Sequence, residues 1–162
     1  MRAKIAFSGL MIASAGIYIF ILYDMLFVWF GRSMVVMSED LLANFNYANS
    51  INLIPFKTNL EYLSAIVDGT VRGHAIRNLS GNLFLFFPAG FFLPFFVRSM
   101  KKIRHYSLIM AAVIIVIEAV QLATRSGSMD IDDFMLNFAG AVMGFIVFTR
   151  TPVRALLGLR AW

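Results

Sequence analysis

Two carboxylates, Glu118 and Asp133, are the candidate catalytic residues of this chain. Glu118 lies inside a long apolar segment, and Asp133 is the first residue of another. A carboxylate held beside a bound substrate can act as a general base. Glu118, Gln121 and Arg125 follow i, i+3, i+7 spacing, which predicts one shared helical face. In that case Glu118 or Asp133 would be the general base, and Arg125 would hold an anionic oxygen of the substrate.

Further polar side chains accompany these two carboxylates at matching positions of other segments. Asn78 and Asn82 form an i, i+4 pair, and Asp130, Asp133 and Asn137 form one stripe. Small residues at 140, 141 and 144 continue that stripe and predict close helix contact. We therefore expect one polar pocket, whose candidate binding residues are Asn52, Asn82, Gln121, Arg125, Asp130, Asp132 and Asn137.

A structural interpretation competes at each of these positions. Glu118 and Arg125 could form an ion pair that joins helices, and Asn82 and Asn137 could supply interhelical hydrogen bonds. The aspartates at 130, 132 and 133 could form a solvated cap on the last apolar helix. His74 and His105 are predicted on opposite sides of a membrane, which argues against a histidine-based metal site.

The elements that must position these residues are four apolar segments, at about residues 6–30, 78–97, 106–124 and 133–149. The chain is 60% hydrophobic and 14% charged, with a mean hydropathy of +0.78. Segments of this length cross a hydrocarbon core of about 30 Å as helices. The sequence therefore predicts an all-α polytopic membrane protein, with residues 1–162 as a single domain. Pro88 and Pro94 predict a kink in the second segment.

The charges predict an orientation for these segments. Every acidic residue falls on one side, and most basic residues fall on the other, namely Arg2, Lys4, Arg98, Lys101, Lys102, Arg104, Arg150, Arg154 and Arg160. Because cytoplasmic loops are enriched in Lys and Arg, we expect both termini in the cytoplasm and the polar pocket outside. The same distribution explains the net charge of +5 without nucleic-acid binding. The first segment is too long for an ordinary signal peptide and is expected to stay as an anchor.

The segment between the first two spans is predicted to carry short amphipathic or re-entrant helices on the outer face. Ser38-Glu39-Asp40 is typical of a helix start. Thr58 and Glu61 have the spacing of a capping box, and Gly69 is expected to end that helix. Between them, the apolar turn at residues 52–56 could enter the membrane. At the other end of the chain, residues 152–162 are expected to form an interfacial helix.

Taken in order, these motifs resemble the VanZ-like family of small membrane proteins, which is associated with teicoplanin resistance. The resemblance covers about residues 49–148 and is carried by Asn52-Leu53-Ile54-Pro55-Phe56, Asn82, Phe86-Phe87-Pro88-Ala89-Gly90, Glu118, Gln121, Arg125, Asp130, Asp132, Asp133, Asn137, Gly140 and Gly144. It implies a bacterial plasma-membrane protein that acts at the cell envelope. The predicted pocket and this resemblance together suggest a lipid, a cell-wall precursor or a glycopeptide as the ligand.

Three functions remain open at this point. The first is a pocket that binds a lipid head group or cell-wall precursor and so alters antibiotic access. The second is an enzyme acting on a polyprenyl phosphate or related lipid, by acid–base chemistry at Glu118 and Asp133 or with Mg²⁺ or Ca²⁺ on the outer carboxylates. The third is a channel or transporter, which so short a chain could form only as an oligomer. The sequence contains no cysteine and no nucleophile elbow or P-loop, and it does not identify a cofactor.

Overall fold

The computed structural model describes residues 2–29, 50–69 and 72–150. These residues are mostly helical, with one very short sheet. In chain order the elements are α1 (Arg2–Tyr23), a π-helical turn (Asp24–Trp29), β1 (Ile51–Asn52), α2 (Lys57–Val67), α3 (Arg72–Leu85), α4 (Ala89–Phe96), a 3₁₀ turn (Arg98–Lys101), α5 (Ile103–Ala123), β2 (Met129–Asp130) and α6 (Ile131–Arg150).

Four of the helical stretches are long and apolar enough to cross a membrane. They are Ala6–Phe27, Ala75–Phe96, Ile103–Ala123 and Ile131–Arg150. They confirm the four predicted segments, although the second and third begin about three residues earlier than the hydropathy pattern placed them. The chain is therefore a multi-pass helical membrane protein. We number these stretches as the first to fourth span, so that α3 and α4 together form the second.

The second span breaks where the sequence predicted a kink. Because Pro88 has no N–H group, α3 ends at Leu85, and the N–H groups of Ala89 and Gly90 donate to the carbonyls of Phe86 and Phe87, both at 3.1 Å. The Leu85 carbonyl is then available to a side chain of the first span, the hydroxyl of Tyr18, at 3.0 Å. Pro94, in contrast, lies inside α4 without ending it. The break thus creates the point at which α1 is hydrogen-bonded to the bundle.

The fourth span packs backbone to backbone against the second. A Cβ atom added to Gly140 would lie 1.8 Å from the Leu83 carbonyl oxygen, and one added to Gly144 would lie 2.0 Å from that of Phe87. These distances confirm the predicted contact along the small-residue stripe. On its other side α6 meets α5, where the Tyr106 hydroxyl donates to the Ala141 carbonyl at 3.0 Å.

The segment from residue 50 to residue 69 lies against the start of α6. Strand β1 pairs in parallel with β2, with Ile51 opposite Met129 and Asn52 opposite Asp130. The predicted helix exists as α2, and Gly69 follows its end with a φ of +74°. The predicted capping box is wrong, because the N-cap is Phe56, which makes no side-chain cap hydrogen bond. The predicted helices at Ser38 and at residues 152–162 lie outside the described residues.

We predict that Gly140→Ala destabilises the protein by about 3 kcal/mol, the upper part of the usual range for overpacking, because its methyl group would meet backbone. Gly16→Ala is the matched control, since a Cβ atom at Gly16 in α1 has nothing within 4 Å. Thermal unfolding of the purified variants in detergent measures the difference. Equal stability of the two variants would contradict the observed packing of α6 on α3.

Candidate functional site

The site residues predicted in the spans collect at one end of the bundle, which we call the polar end. It contains β1, β2 and α2, together with the end of α5 and the start of α6. The basic segment at residues 98–104 joins α4 to α5 at the opposite end. The polar side chains at this end form two groups. In the first, the carboxylate oxygens are paired within the protein, whereas the second lines a cavity.

The first group is a carboxylate lock that holds the 50–69 segment on the bundle; we use this name for Asn52, Thr58, Asp130 and Asp132. One oxygen of Asp130 accepts the Asn52 amide at 3.1 Å and the backbone N–H of Asp132 at 2.9 Å. Its other oxygen accepts the Thr58 hydroxyl at 2.6 Å. Both oxygens of Asp130 are therefore engaged within the protein.

Asp132 completes the lock from a fully buried position, at 0% exposure. Its two oxygens accept the backbone N–H groups of Phe56, at 2.5 Å, and of Asn59, at 2.9 Å. These donors lie in the first turn of α2, where helices lack intrahelical partners and favour negative charge. From the sequence, the aspartates were expected to line the pocket, and a solvated cap of the last apolar helix was the structural alternative. In the structure Asp132 is buried and its carboxylate caps the start of α2, 73 residues earlier in the chain.

The second group lines a cavity of about 150 Å³ between the ends of the spans. Its wall contains Met25, Leu26, Asn78, Asn82, Leu85, Glu118, Gln121, Ser126, Gly127, Ser128, Asp133 and Asn137. We call this space the polar cavity. It brings together five of the predicted site residues, Asn82, Glu118, Gln121, Asp133 and Asn137. Asn52, Asp130 and Asp132, also predicted to bind ligand, belong to the lock.

Hydrogen bonds fix the side chains of the polar cavity from three spans. The Asn82 amide donates to one oxygen of Asp133 and, at 3.3 Å, to the side-chain oxygen of Asn78. Gln121 donates to the Leu26 carbonyl at 2.8 Å, which attaches the first span. Glu118 is 4% exposed and accepts the backbone N–H of Asp130 at 3.1 Å. Glu118 thus connects the lock with the cavity.

Arg125 does not extend the helical face on which the sequence placed it. Helix α5 ends at Ala123, and Arg125 has the left-handed φ of 58°. The backbone has therefore left the helix before Arg125, and this residue does not line the polar cavity. The expectation that Glu118, Gln121 and Arg125 share one face holds only for the first two.

Three acceptor atoms of the polar cavity receive no hydrogen bond from the described part of the chain. The Oδ1 atom of Asn137, a residue that is 4% exposed, is buried without a hydrogen-bond partner. Within the described part of the chain, the second carboxylate oxygens of Glu118 and Asp133 accept no hydrogen bond either. Buried acceptors are normally satisfied, because leaving one without a donor costs about 1–3 kcal/mol. The cavity is therefore suited to a molecule that donates hydrogen bonds.

Two residues near the site were not identified from the sequence. Thr58 was assigned to a capping box, whereas its hydroxyl binds Asp130. Tyr62 was not considered, although burial, and then the negative charges of Asp133, Asp130 and Glu61, raise its pKa. The raised pKa extends the protonated state of the Tyr62 hydroxyl to more alkaline pH. Their spacing in the sequence could have indicated both residues, because Thr58 and Tyr62 are one helical turn apart and share a face of α2.

The four spans, the lock and the polar cavity define a small multi-pass membrane protein with a polar site built into one end of its bundle. The chain belongs to the VanZ/LLP1 family, whose family model matches residues 15–154. This confirms the resemblance drawn from the motifs, and the matched range also takes in the second half of α1. No curated protein and no solved structure matches the chain.

We predict that Asp132→Asn releases α2 from the bundle, because an amide accepts only one of the two backbone N–H groups and presents a donor to the other. The expected cost is about 2 kcal/mol, the worth of a hydrogen bond to a charged group. Hydrogen exchange should become faster in residues 50–69. Asp68→Asn is the matched control, because Asp68 is exposed at the end of α2. Unchanged exchange in Asp132→Asn would contradict the capping role.

Proposed function

We propose that this protein acts in the bacterial plasma membrane at the cell envelope, where its polar cavity binds the head group of a lipid or a cell-wall precursor. The observation that carries the proposal is the buried Asn137 Oδ1 atom without a donor, in a cavity that also contains Glu118 and Asp133. A ligand bearing N–H or O–H groups supplies the missing donors. A primary amine suits the site best, because it also balances negative charge.

The size of the polar cavity restricts the ligand further. At about 150 Å³ it is smaller than the roughly 300–1,000 Å³ of pockets that enclose drug-sized molecules. It therefore accommodates a small head group or one terminus of a precursor, and not a whole glycopeptide. On this proposal, antibiotic access changes because the protein holds an envelope molecule that the antibiotic also needs.

The proposed orientation places the polar end outside the cell. The exposed basic residues Arg98, Lys102 and Arg104 lie at the opposite end of the bundle, and short loops rich in Lys and Arg remain in the cytoplasm. The polar cavity then faces the side on which cell-wall precursors are used. This orientation supports a role at the envelope.

A second candidate is a membrane enzyme that acts on a polyprenyl phosphate or related lipid. It is favoured by one observation: Glu118 and Asp133 each keep one oxygen for the same cavity while the other oxygen is fixed by a hydrogen bond. A carboxylate so oriented can take a proton from a bound hydroxyl group. Incubation of the purified protein with envelope lipids, with and without EDTA, tests this candidate, and unchanged lipids in both samples would remove it.

We predict that Glu118→Gln lowers ligand occupancy about tenfold without unfolding the protein. Glutamine keeps the oxygen that accepts the Asp130 N–H but loses the charge that holds a donor, a loss of the size of one charge-assisted hydrogen bond. Lipids and precursors retained by the purified protein are measured by mass spectrometry. Glu61→Gln, at an exposed position of α2, is the control. Equal retention by both variants and the unsubstituted protein would argue against the cavity as the binding site.

In cells, we predict that teicoplanin binding differs between a strain with the unsubstituted protein and a deletion strain, and that Glu118→Gln resembles the deletion. The physical reason is that the variant releases the envelope molecule from the polar cavity. Labelled teicoplanin on whole cells provides the measurement, with Glu61→Gln expected to match the unsubstituted protein. Equal uptake by all four strains would count against a role in glycopeptide access.

A further inference from the structure

A second and larger space lies beside the polar cavity, between the first span and the second. It is an open groove of about 690 Å³, and its wall is almost entirely apolar, with Ile17, Ile21, Phe84 and Phe92 among the lining residues. The groove exists because α1 stands apart from the second span. The two are joined where Tyr18 donates to the Leu85 carbonyl at 3.0 Å and stacks on Phe92, with ring centroids 5.5 Å apart.

The groove has the length and position for one hydrocarbon chain. Its lining runs along the second span from Arg77 to Phe92, which corresponds to about 22 Å of helix at 1.5 Å per residue. Half of a bilayer's hydrocarbon core measures about 15 Å. A chain from one leaflet can therefore lie along the groove without leaving the membrane.

The two ends of the groove differ in chemistry. Arg77 is the one charged residue among those that line it; its side chain is exposed and its Nε group donates to the Gly73 carbonyl at 3.2 Å. Arg77 lies on the same turn as Asn78, which lines the polar cavity. Met25 and Leu85 line both spaces, so the groove and the polar cavity are direct neighbours. At one end of the apolar groove, the cationic side chain of Arg77 therefore lies close to the polar cavity, which contains the carboxylates of Glu118 and Asp133.

We propose that this groove binds one acyl chain of an aminophospholipid, whose phosphate contacts Arg77 and whose primary amine enters the polar cavity. The order of charges in such a head group, phosphate and then ammonium, matches the order of Arg77 and the Glu118–Asp133 pair. A primary ammonium donates three hydrogen bonds, whereas a choline group donates none and a glycerol group leaves the carboxylates without a counter-charge. The amine part of this inference rests on the proposed function of the polar cavity; the chain part does not.

Occlusion of the groove tests the chain part. Ile17 and Ile19 are equally exposed on α1, at 61% and 63%, but Ile17 lines the groove and Ile19 does not. Purified protein is titrated with phosphatidylethanolamine in detergent, and bound lipid is counted by native mass spectrometry. Ile17→Trp should lower the bound fraction about tenfold, whereas Ile19→Trp should leave it unchanged. Equal binding by the two variants overturns the groove as the lipid site.

The head-group part is tested on the same instrument with three lipids of equal chain length. We expect phosphatidylethanolamine to bind about tenfold more tightly than phosphatidylcholine or phosphatidylglycerol. Arg77→Gln should weaken all three, while Arg98→Gln, a change at an exposed arginine of the opposite end, should weaken none. Equal affinity for phosphatidylethanolamine and phosphatidylcholine overturns the amine assignment.

Glu118→Gln separates this inference from the function proposed above. If Ile17→Trp abolishes lipid binding but Glu118→Gln has no effect, the groove holds a chain and the polar cavity does not hold its head group. If Glu118→Gln releases a ligand that Ile17→Trp retains, the cavity binds a molecule without a chain in the groove, and the present inference is wrong. Loss in both variants, with preference for the amine lipid, supports both.

Discussion

The structure depends first on the burial of the lock carboxylates against the 50–69 segment. A buried carboxylate is tolerated only when its oxygens accept hydrogen bonds, because the loss of hydration costs several kcal/mol. Asp132 meets this condition with two N–H groups of α2, and Asp130 meets it with Asn52 and Thr58. The segment and the bundle therefore stabilise each other, and neither is expected to keep its geometry alone.

Glu118 belongs to both polar groups and shows how they differ. One of its oxygens accepts the N–H of Asp130 in the lock, and the other remains for the polar cavity. In the lock the acceptors are filled by donors of the protein itself, which is the sign of a structural role. In the cavity Asn137 is buried without a donor, which is the sign of a site that another molecule completes.

The close contact between α6 and the second span sets the position of the polar cavity. Leu83 and Gly140 meet at that contact. Leu83 directly follows Asn82, and Gly140 is one helical turn after Asn137. Backbone-to-backbone packing leaves little freedom to slide, so Asn82 is held against Asp133. The break at Pro88 then releases the Leu85 carbonyl for Tyr18, and α1 is held at a distance that leaves the groove open.

The sequence by itself determined the four spans, the break at Pro88, the α6 contact through Gly140, and the family, because hydropathy, missing N–H groups and small side chains are local properties. It also grouped Glu118 with Asp133. Only the tertiary structure decided which polar residues form hydrogen bonds within the protein and which keep an atom without a partner. In the sequence, Asp132 and Asn137 are both polar positions in the first turns of α6. In the structure, Asp132 accepts hydrogen bonds from α2, more than seventy residues away, whereas the Asn137 Oδ1 atom has no donor. Local patterns carry no information on such pairings, since these form only when distant segments meet.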